Sequence, residues 1–205
     1  MKDRRGQGGF TLLELLIALA IVASLVAIAF GGLRVAVAAW DQGQDRAEAH
    51  QHLRGVAVVL ARALSAAYPY RAPLGQAPEP VVLFRGEAGR LELVTQAPPL
   101  APPIPVAFTA VVIALEQDET PSLVIRQRVL PNRDPFGEAA VVLRDPAVSR
   151  LAFRYLDESG AWQDEWDPET RGGLPRAVQV SVAVAHRGRL ETLPPLTVTL
   201  RTVLP

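Results

Sequence analysis

Cysteine is absent from the 205 residues, which removes disulfides, thiolate metal sites and cysteine nucleophiles together. Lysine occurs once, at Lys2, so a lysine base or Schiff base in the body of the chain is excluded as well. Net charge is also missing. The 21 basic and 21 acidic side chains cancel, leaving no electrostatic footprint for nucleic acid, and no nucleic-acid partner is expected. The first third of the chain lacks proline, since all 18 prolines lie at or beyond Pro69. Ahead of that point the sequence is compatible with helix throughout. Beyond it, short alternating apolar runs separated by proline and glycine point to strands joined by stiff loops.

What is present begins with an apolar run. Residues 15–33 read LLIALAIVASLVAIAFGGL, with Ser24 the only hydroxyl and no charge. At 1.5 Å per residue this run is about 28 Å long, close to the thickness of a bilayer core. Lys2, Arg4 and Arg5 precede it against a single Asp3, so the positive-inside rule keeps the amino terminus in the cytoplasm and exports Arg34 onward. An ordinary cleaved signal peptide is the rival reading, and Ala36-Val37-Ala38 offers it an A-x-A site releasing a chain that starts at Ala39. The run is longer than a typical signal core, Glu14 interrupts its start, and no helix breaker precedes the supposed cut.

Past the apolar run, Leu33, Val37, Trp40, Ala47, Leu53, Ala57, Leu60 and Leu64 recur at helical spacing. Asp41, Gln44, Asp45, Glu48, Gln51 and Arg62 occupy the other face. The pattern predicts one helix over residues 10–67, about 87 Å of rod, beginning in a membrane and ending as the spine of an exported domain. Gly31, Gly32, Gly43 and Gly55 each weaken it by about 1 kcal/mol relative to alanine. They are either tolerated packing sites or places where the helix unwinds during assembly.

Glu14 is the anomaly. A first-turn acid favours the positive end of the helix dipole by about 0.3–1 kcal/mol, but an ionised carboxylate in lipid normally has a partner. Gly9-Phe10-Thr11-Leu12-Leu13-Glu14, behind a short basic leader and ahead of a spanning helix, resembles the class III signal of type IV pilins and type II secretion pseudopilins. The resemblance implies that a membrane prepilin peptidase cuts between Gly9 and Phe10 and that the new amino terminus of Phe10 is N-methylated. It also implies that Glu14 pairs with the Phe10 amine of an adjacent subunit, setting the stagger of a helical filament. Residues 1–9 are then a cleaved leader, 10–33 a transmembrane helix, 34–68 its periplasmic continuation and 69–205 a β-rich periplasmic domain.

Strand-like runs follow at 81–85, 91–95, 106–115, 123–130, 139–143, 151–155, 178–184 and 196–203. Gly86-Glu87-Ala88-Gly89 and Asp157-Glu158-Ser159-Gly160 mark hairpin turns, the second followed by a resumed run at Ala161-Trp162. Alternation with one apolar face predicts antiparallel sheet covered by the amphipathic half of the long helix. The expected class is α+β, with a pilin-like fold.

Leu151, Phe153, Tyr155, Gly160, Trp162, Trp166, Leu174, Pro175, Val178 and Val180 are similar in type and order to the J-type minor pseudopilins of type II secretion. That resemblance implies a periplasmic filament tip shared with I-type and K-type minor pseudopilins and joined to the major pseudopilin. It also implies a single-pass protein in contact with inner-membrane lipid. Trp162 and Trp166 are expected to anchor a hairpin onto the sheet, the alternative being contact with a neighbouring subunit.

Little in the sequence points to catalysis or metal binding. Glu158, Asp164, Glu165, Asp167 and Glu169 cluster near a turn without forming the D-x-[DN]-x-[DN]-G calcium loop, so a solvated hairpin end is expected. His50, His52 and His186 lack metal-ligand spacing, and there is no nucleophile elbow, P-loop or dinucleotide fingerprint. Neither a cofactor nor a catalytic role is expected. A minor pilin of a type IV pilus or competence system is the runner-up reading. A membrane-anchored or secreted β-rich binding domain is the rival from another class.

Overall fold

The computed structural model describes residues 10–73, 79–117, 120–171, 173–186 and 188–200. Two compact units emerge, Met1–Arg46 and Ala47–Pro205. Helix α1 (Leu12–Ser65) supplies nearly all described residues of the first unit and enters the second. Its ends fall inside the expected 10–67. Thr11 caps the start, with its Oγ1 accepting the Glu14 N–H at 3.3 Å. At the other end the chain leaves the helix because its backbone finds strand partners. Gln96 N–H donates to the Ala66 carbonyl at 3.0 Å and Tyr68 N–H to the Val94 carbonyl at 2.9 Å.

In the first unit the described helix has no buried residue, and its large apolar side chains from Leu12 to Trp40 are exposed. Such a helix has no protein core to stabilise it and is long and apolar enough to cross a membrane.

The second unit is built from strands β1 (Arg71–Ala72), β2 (Val81–Val82), β3 (Phe84–Gly86), β4 (Arg90–Thr95), β5 (Thr109–Gln117), β6 (Pro121–Val129) and β7 (Ala140–Asp145). They are followed by β8 (Val148–Leu156), β9 (Trp162–Gln163), the short helix α2 (Pro168–Arg171), β10 (Ala177–His186), β11 (Arg189–Thr192) and β12 (Leu196–Thr199). One sheet has the order β3-β4-β5-β6-β7. A second runs β11-β10-β8-β9, with β12 also paired to β10, and β1-β2 form a separate ribbon. Each pairing is antiparallel. The fold is therefore α+β, with a long first helix and antiparallel sheets.

The larger core lies where the carboxy-terminal half of α1 meets both sheets. Leu53, Leu60 and Leu64 pack with Phe84, Leu93, Val111 and Ile125 of the first sheet and with Phe153, Tyr155, Val178 and Val180 of the second. Cross-strand register explains the selection: Phe84 faces Leu93, Ile113 faces Ile125 and Val180 faces Phe153, so each sheet keeps one apolar face inward. A smaller core on the far face of the first sheet gathers Leu83, Val94, Ala110, Val112, Leu130 and Phe136. The β1-β2 ribbon covers it through Ala72 and Val81. Burial on both faces is why β5 reads as a nearly continuous apolar run rather than an alternating one.

The two sheets are joined by the β3–β4 turn. Phe153 N–H donates to the Ala88 carbonyl at 2.9 Å, and Leu115 N–H donates to the Gly89 carbonyl at 3.1 Å. Gly86 and Trp166 exchange two backbone hydrogen bonds of 2.9 and 2.8 Å.

Several expected boundaries shift. The run expected at 106–115 starts only at Thr109, because Phe108 packs its ring on Tyr68 and Tyr70, with centroids 4.7 and 5.4 Å away. The last strand ends at Thr199, and residues 201–203 of the expected 196–203 lie outside the described residues. The pairs at β1 and β11 carry no alternating signal of their own and form because β2 and β10 offer free edges.

Candidate functional site

The residues singled out by sequence sit at the start of α1. Gly9 and the basic leader lie outside the described residues. Phe10 stands just ahead of the helix, 82% exposed, and Thr11 is its N-cap. Thr11-Leu12-Leu13-Glu14 is thus a Thr-x-x-Glu box, with Glu14 at the third helical position. The sequence reading did not single out this cap, although the Thr-x-x-Glu spacing could have signalled it, and it gives Thr11 a role the acid alone does not reveal: it fixes where the helix begins. Glu14 is exposed, and its carboxylate has no partner among the described residues. Further along, Ser24 returns its hydroxyl to the Ala20 carbonyl at 2.8 Å, satisfying the one hydroxyl in the apolar run within its own helix. The N-terminal segment therefore combines an apolar surface facing outward with a single acid near the helix start. Chemically it can bind lipid or other apolar helices and accept one cation.

In the second unit the acidic turn proves internally organised. The Asp157 carboxylate accepts the Ser159 hydroxyl at 2.6 Å, the Ala161 N–H at 2.9 Å and the Gln163 side-chain amide at 2.9 Å. Those bonds, led by the one from Ser159, hold its pKa down to about 2. Gly160 completes the turn at φ 88°, a backbone region that favours glycine. Asp164 reaches Arg154 at 3.1 Å. Of the two tryptophans, Trp166 is 3% exposed, donates its indole N–H to the Gly173 carbonyl at 2.8 Å and carries the Arg171 guanidinium over its ring at 5.4 Å. Trp162 is half-buried in β9. Trp166 is thus the anchor that ties this region to β3.

His52 on α1 meets Asp145 of β7 at 2.8 Å, a side-chain link between helix and sheet that residue spacing does not disclose. On the outer face of the first sheet, Glu116 bonds to Arg126 and, at 3.0 Å, to Arg144. The hydrogen bond from Arg126 is the main cause holding its carboxyl below the usual range.

An exposed apolar helix that opens on Phe-Thr-x-x-Glu defines a membrane-anchored, pilin-like subunit, and residues 4–30 match the prokaryotic N-terminal methylation motif. Residues 31–195 match the family model for type II secretion system protein J. Over 183 residues, 85% of each chain, the sequence is 30% identical to Type II secretion system protein J of Xanthomonas campestris pv. campestris. The chain belongs to the type II secretion system protein J family and is a minor pseudopilin of type II secretion. That membership decides between the secretion and pilus readings. The family is a structural component of the secretion machinery, it implies other pseudopilins as partners, and with the apolar helix it makes this an inner-membrane-anchored protein.

Proposed function

We propose that the chain is cut between Gly9 and Phe10 by a prepilin peptidase, N-methylated on Phe10, and assembled at the tip of a periplasmic pseudopilus. Residues 10–33 span the inner membrane with the amino terminus cytoplasmic, and the chain from Arg34 onward is periplasmic. There it joins I-type and K-type minor pseudopilins, and the major pseudopilin continues the filament.

The observation that carries this reading is Glu14, an exposed carboxylate without a partner among the described residues, in the first turn of a helix whose following surface to Leu33 carries no other charge. An ionised acid in that setting favours a cation, and cleavage before Phe10 creates one. A subunit entering the filament exchanges lipid for other helices, and pairing Glu14 with a neighbour's Phe10 amine neutralises both charges as it does so.

Mass spectrometry of the mature protein tests the processing, with N-methyl-Phe10 as the expected terminus. A terminus at Ala39, or an intact Met1, overturns the proposal. Glu14→Leu should leave processing intact and reduce recovery of the complex with I-type and K-type subunits. Normal recovery together with unchanged secretion would sink the pairing role.

A further inference from the structure

The last residue of β10 is His186, and its Nε2 is buried without a hydrogen-bond partner. Among the described residues it is the one buried side-chain nitrogen or oxygen in that condition. A neutral imidazole has one nitrogen that donates and one that accepts, and sealing either from solvent unpaired is unfavourable. Such an atom calls for a partner of some kind.

Glu48 of α1 brings a carboxylate oxygen within 4.8 Å of an imidazole nitrogen of His186. Glu48 is exposed, and no hydrogen bond or ion pair engages its carboxylate among the described residues. Zinc takes a nitrogen or carboxylate oxygen at about 2.0–2.2 Å, so two of its ligand atoms stand about 3.4 Å apart in a tetrahedral site. An exposed glutamate turning about its own side-chain torsions closes the difference. Imidazole beside carboxylate is a donor set for zinc and neighbouring transition cations, whereas calcium and magnesium take oxygen throughout. Spacing along the chain gave no sign of the pair, because strand and helix bring it together from distant parts of the sequence.

Both residues stand on fixed elements of the second unit. Glu48 directly precedes Ala49, which is buried, and fully buried Leu53 follows a turn later, so the core holds this part of α1. His186 is in register with Arg189 of β11, and Ala185 N–H donates to the Ala147 carbonyl at 2.9 Å. That bond sets the end of β10 beside the turn between β7 and β8. At the same end His52, one helical turn after Glu48, already meets Asp145 of β7. One stretch of α1 thus has a direct polar link to the first sheet through His52. Toward the second sheet it has Glu48 and His186, close together and not bonded to each other.

We propose that Glu48 and His186 form a binding site for a divalent cation of the zinc class, which ties α1 to the second sheet, with water completing its coordination. The cation satisfies the buried imidazole nitrogen and gives the helix a second polar link, opposite the one from His52. The site stands apart from the proposed processing and assembly and is tested without partner subunits.

The test titrates zinc chloride into the full mature chain, untagged and in detergent micelles, by calorimetry, and follows the melting temperature by tryptophan fluorescence. Saturable binding of one zinc per chain is expected. Zinc at ten times its dissociation constant should raise the melting temperature by about 4 °C. Glu48→Gln keeps the shape of an exposed side chain and removes its charge, while His186→Ala removes the imidazole. Each should weaken zinc binding by about tenfold or more, since losing a residue that merely orients a metal ligand already costs that much. Glu48→Gln decides the matter should His186→Ala fail to fold. His50→Ala, two residues further along α1, should leave the affinity unchanged, and magnesium should give no comparable shift. A wild-type chain with no saturable zinc binding overturns the site. So does wild-type affinity in Glu48→Gln or in a folded His186→Ala protein, which would mean adventitious zinc only. An equal response to magnesium, or binding lost in His50→Ala, overturns it as well.

Discussion

Gly86→Ala isolates the joint between the two sheets. A Cβ built at Gly86 would lie 2.2 Å from Cζ and 2.5 Å from Cε1 and the hydroxyl oxygen of Tyr155. That ring cannot swing aside easily. Tyr155 is fully buried, meets Phe84 edge-on with centroids 6.2 Å apart, and donates its hydroxyl to the Glu87 carbonyl at 3.0 Å. Burial also pushes the phenol pKa up, so the hydroxyl remains a donor throughout the neutral range. Nor can Gly86 retreat, since its N–H and carbonyl both bond to Trp166. Overpacking of this kind costs about 1–3 kcal/mol, and losing the Tyr155 hydrogen bond adds about 1 kcal/mol. A loss of about 3 kcal/mol lowers the melting temperature of a domain this size by about 10 °C. Thermal and urea unfolding of the full chain in detergent, followed by tryptophan fluorescence, would measure it. Tyr155→Leu frees the space and should make Gly86→Ala cheaper in the double variant than in the single one, a positive coupling expected only of residues in contact. A Gly86→Ala protein within about 0.5 kcal/mol of wild type, or additive effects in the double variant, would refute the close-approach argument.

Other expectations follow from single contacts. Leu60→Ala, at a fully buried site where α1 meets the sheets, should cost about 2–5 kcal/mol in urea unfolding, while Val58→Ala on the exposed face should stay within about 0.5 kcal/mol. Thr95→Val removes the hydroxyl that serves both Ala63 and Ala97, and should cost about 1–3 kcal/mol by the same assay. Asp157 has a folded-state pKa depressed from 3.8 to about 2, so its contribution is fully present above its unfolded value and is lost as pH falls through about 2. Melting curves taken across that acid window should flatten in Asp157→Asn, whose side chain carries no titrating group.

Much of the N-terminal half was legible because its structure is local. A helix closes hydrogen bonds four residues apart, so uninterrupted apolar sequence without proline settles both the helix and its affinity for a bilayer. The anomalous acid is likewise contained within a few residues, as is the Thr-x-x-Glu cap that the reading passed over, and the family follows from that same short stretch together with the Tyr and Trp pattern further on. Most long strands were legible as well, through alternation and turn residues, as at 151–155 and 178–184. The unforeseen strands are short and carry no alternation of their own: β11 pairs with the nearby Ala183–His186 and β1 with Val81 and Val82. β11 and the β1 ribbon exist because an edge was free, and α1 ends early because Ala66 and Tyr68 find backbone partners in the β4 region.

The amino-acid sequence by itself determined the anchor, the acid at its start and the α+β class, because each depends on side chains within a turn or two of one another. Only the tertiary structure decided that two sheets share the helix, that Gly86 must stay small beneath Tyr155, and that His52 meets Asp145. Those depend on groups brought together across tens of residues, where the distance in space is set by strand register and core packing and not by spacing along the chain.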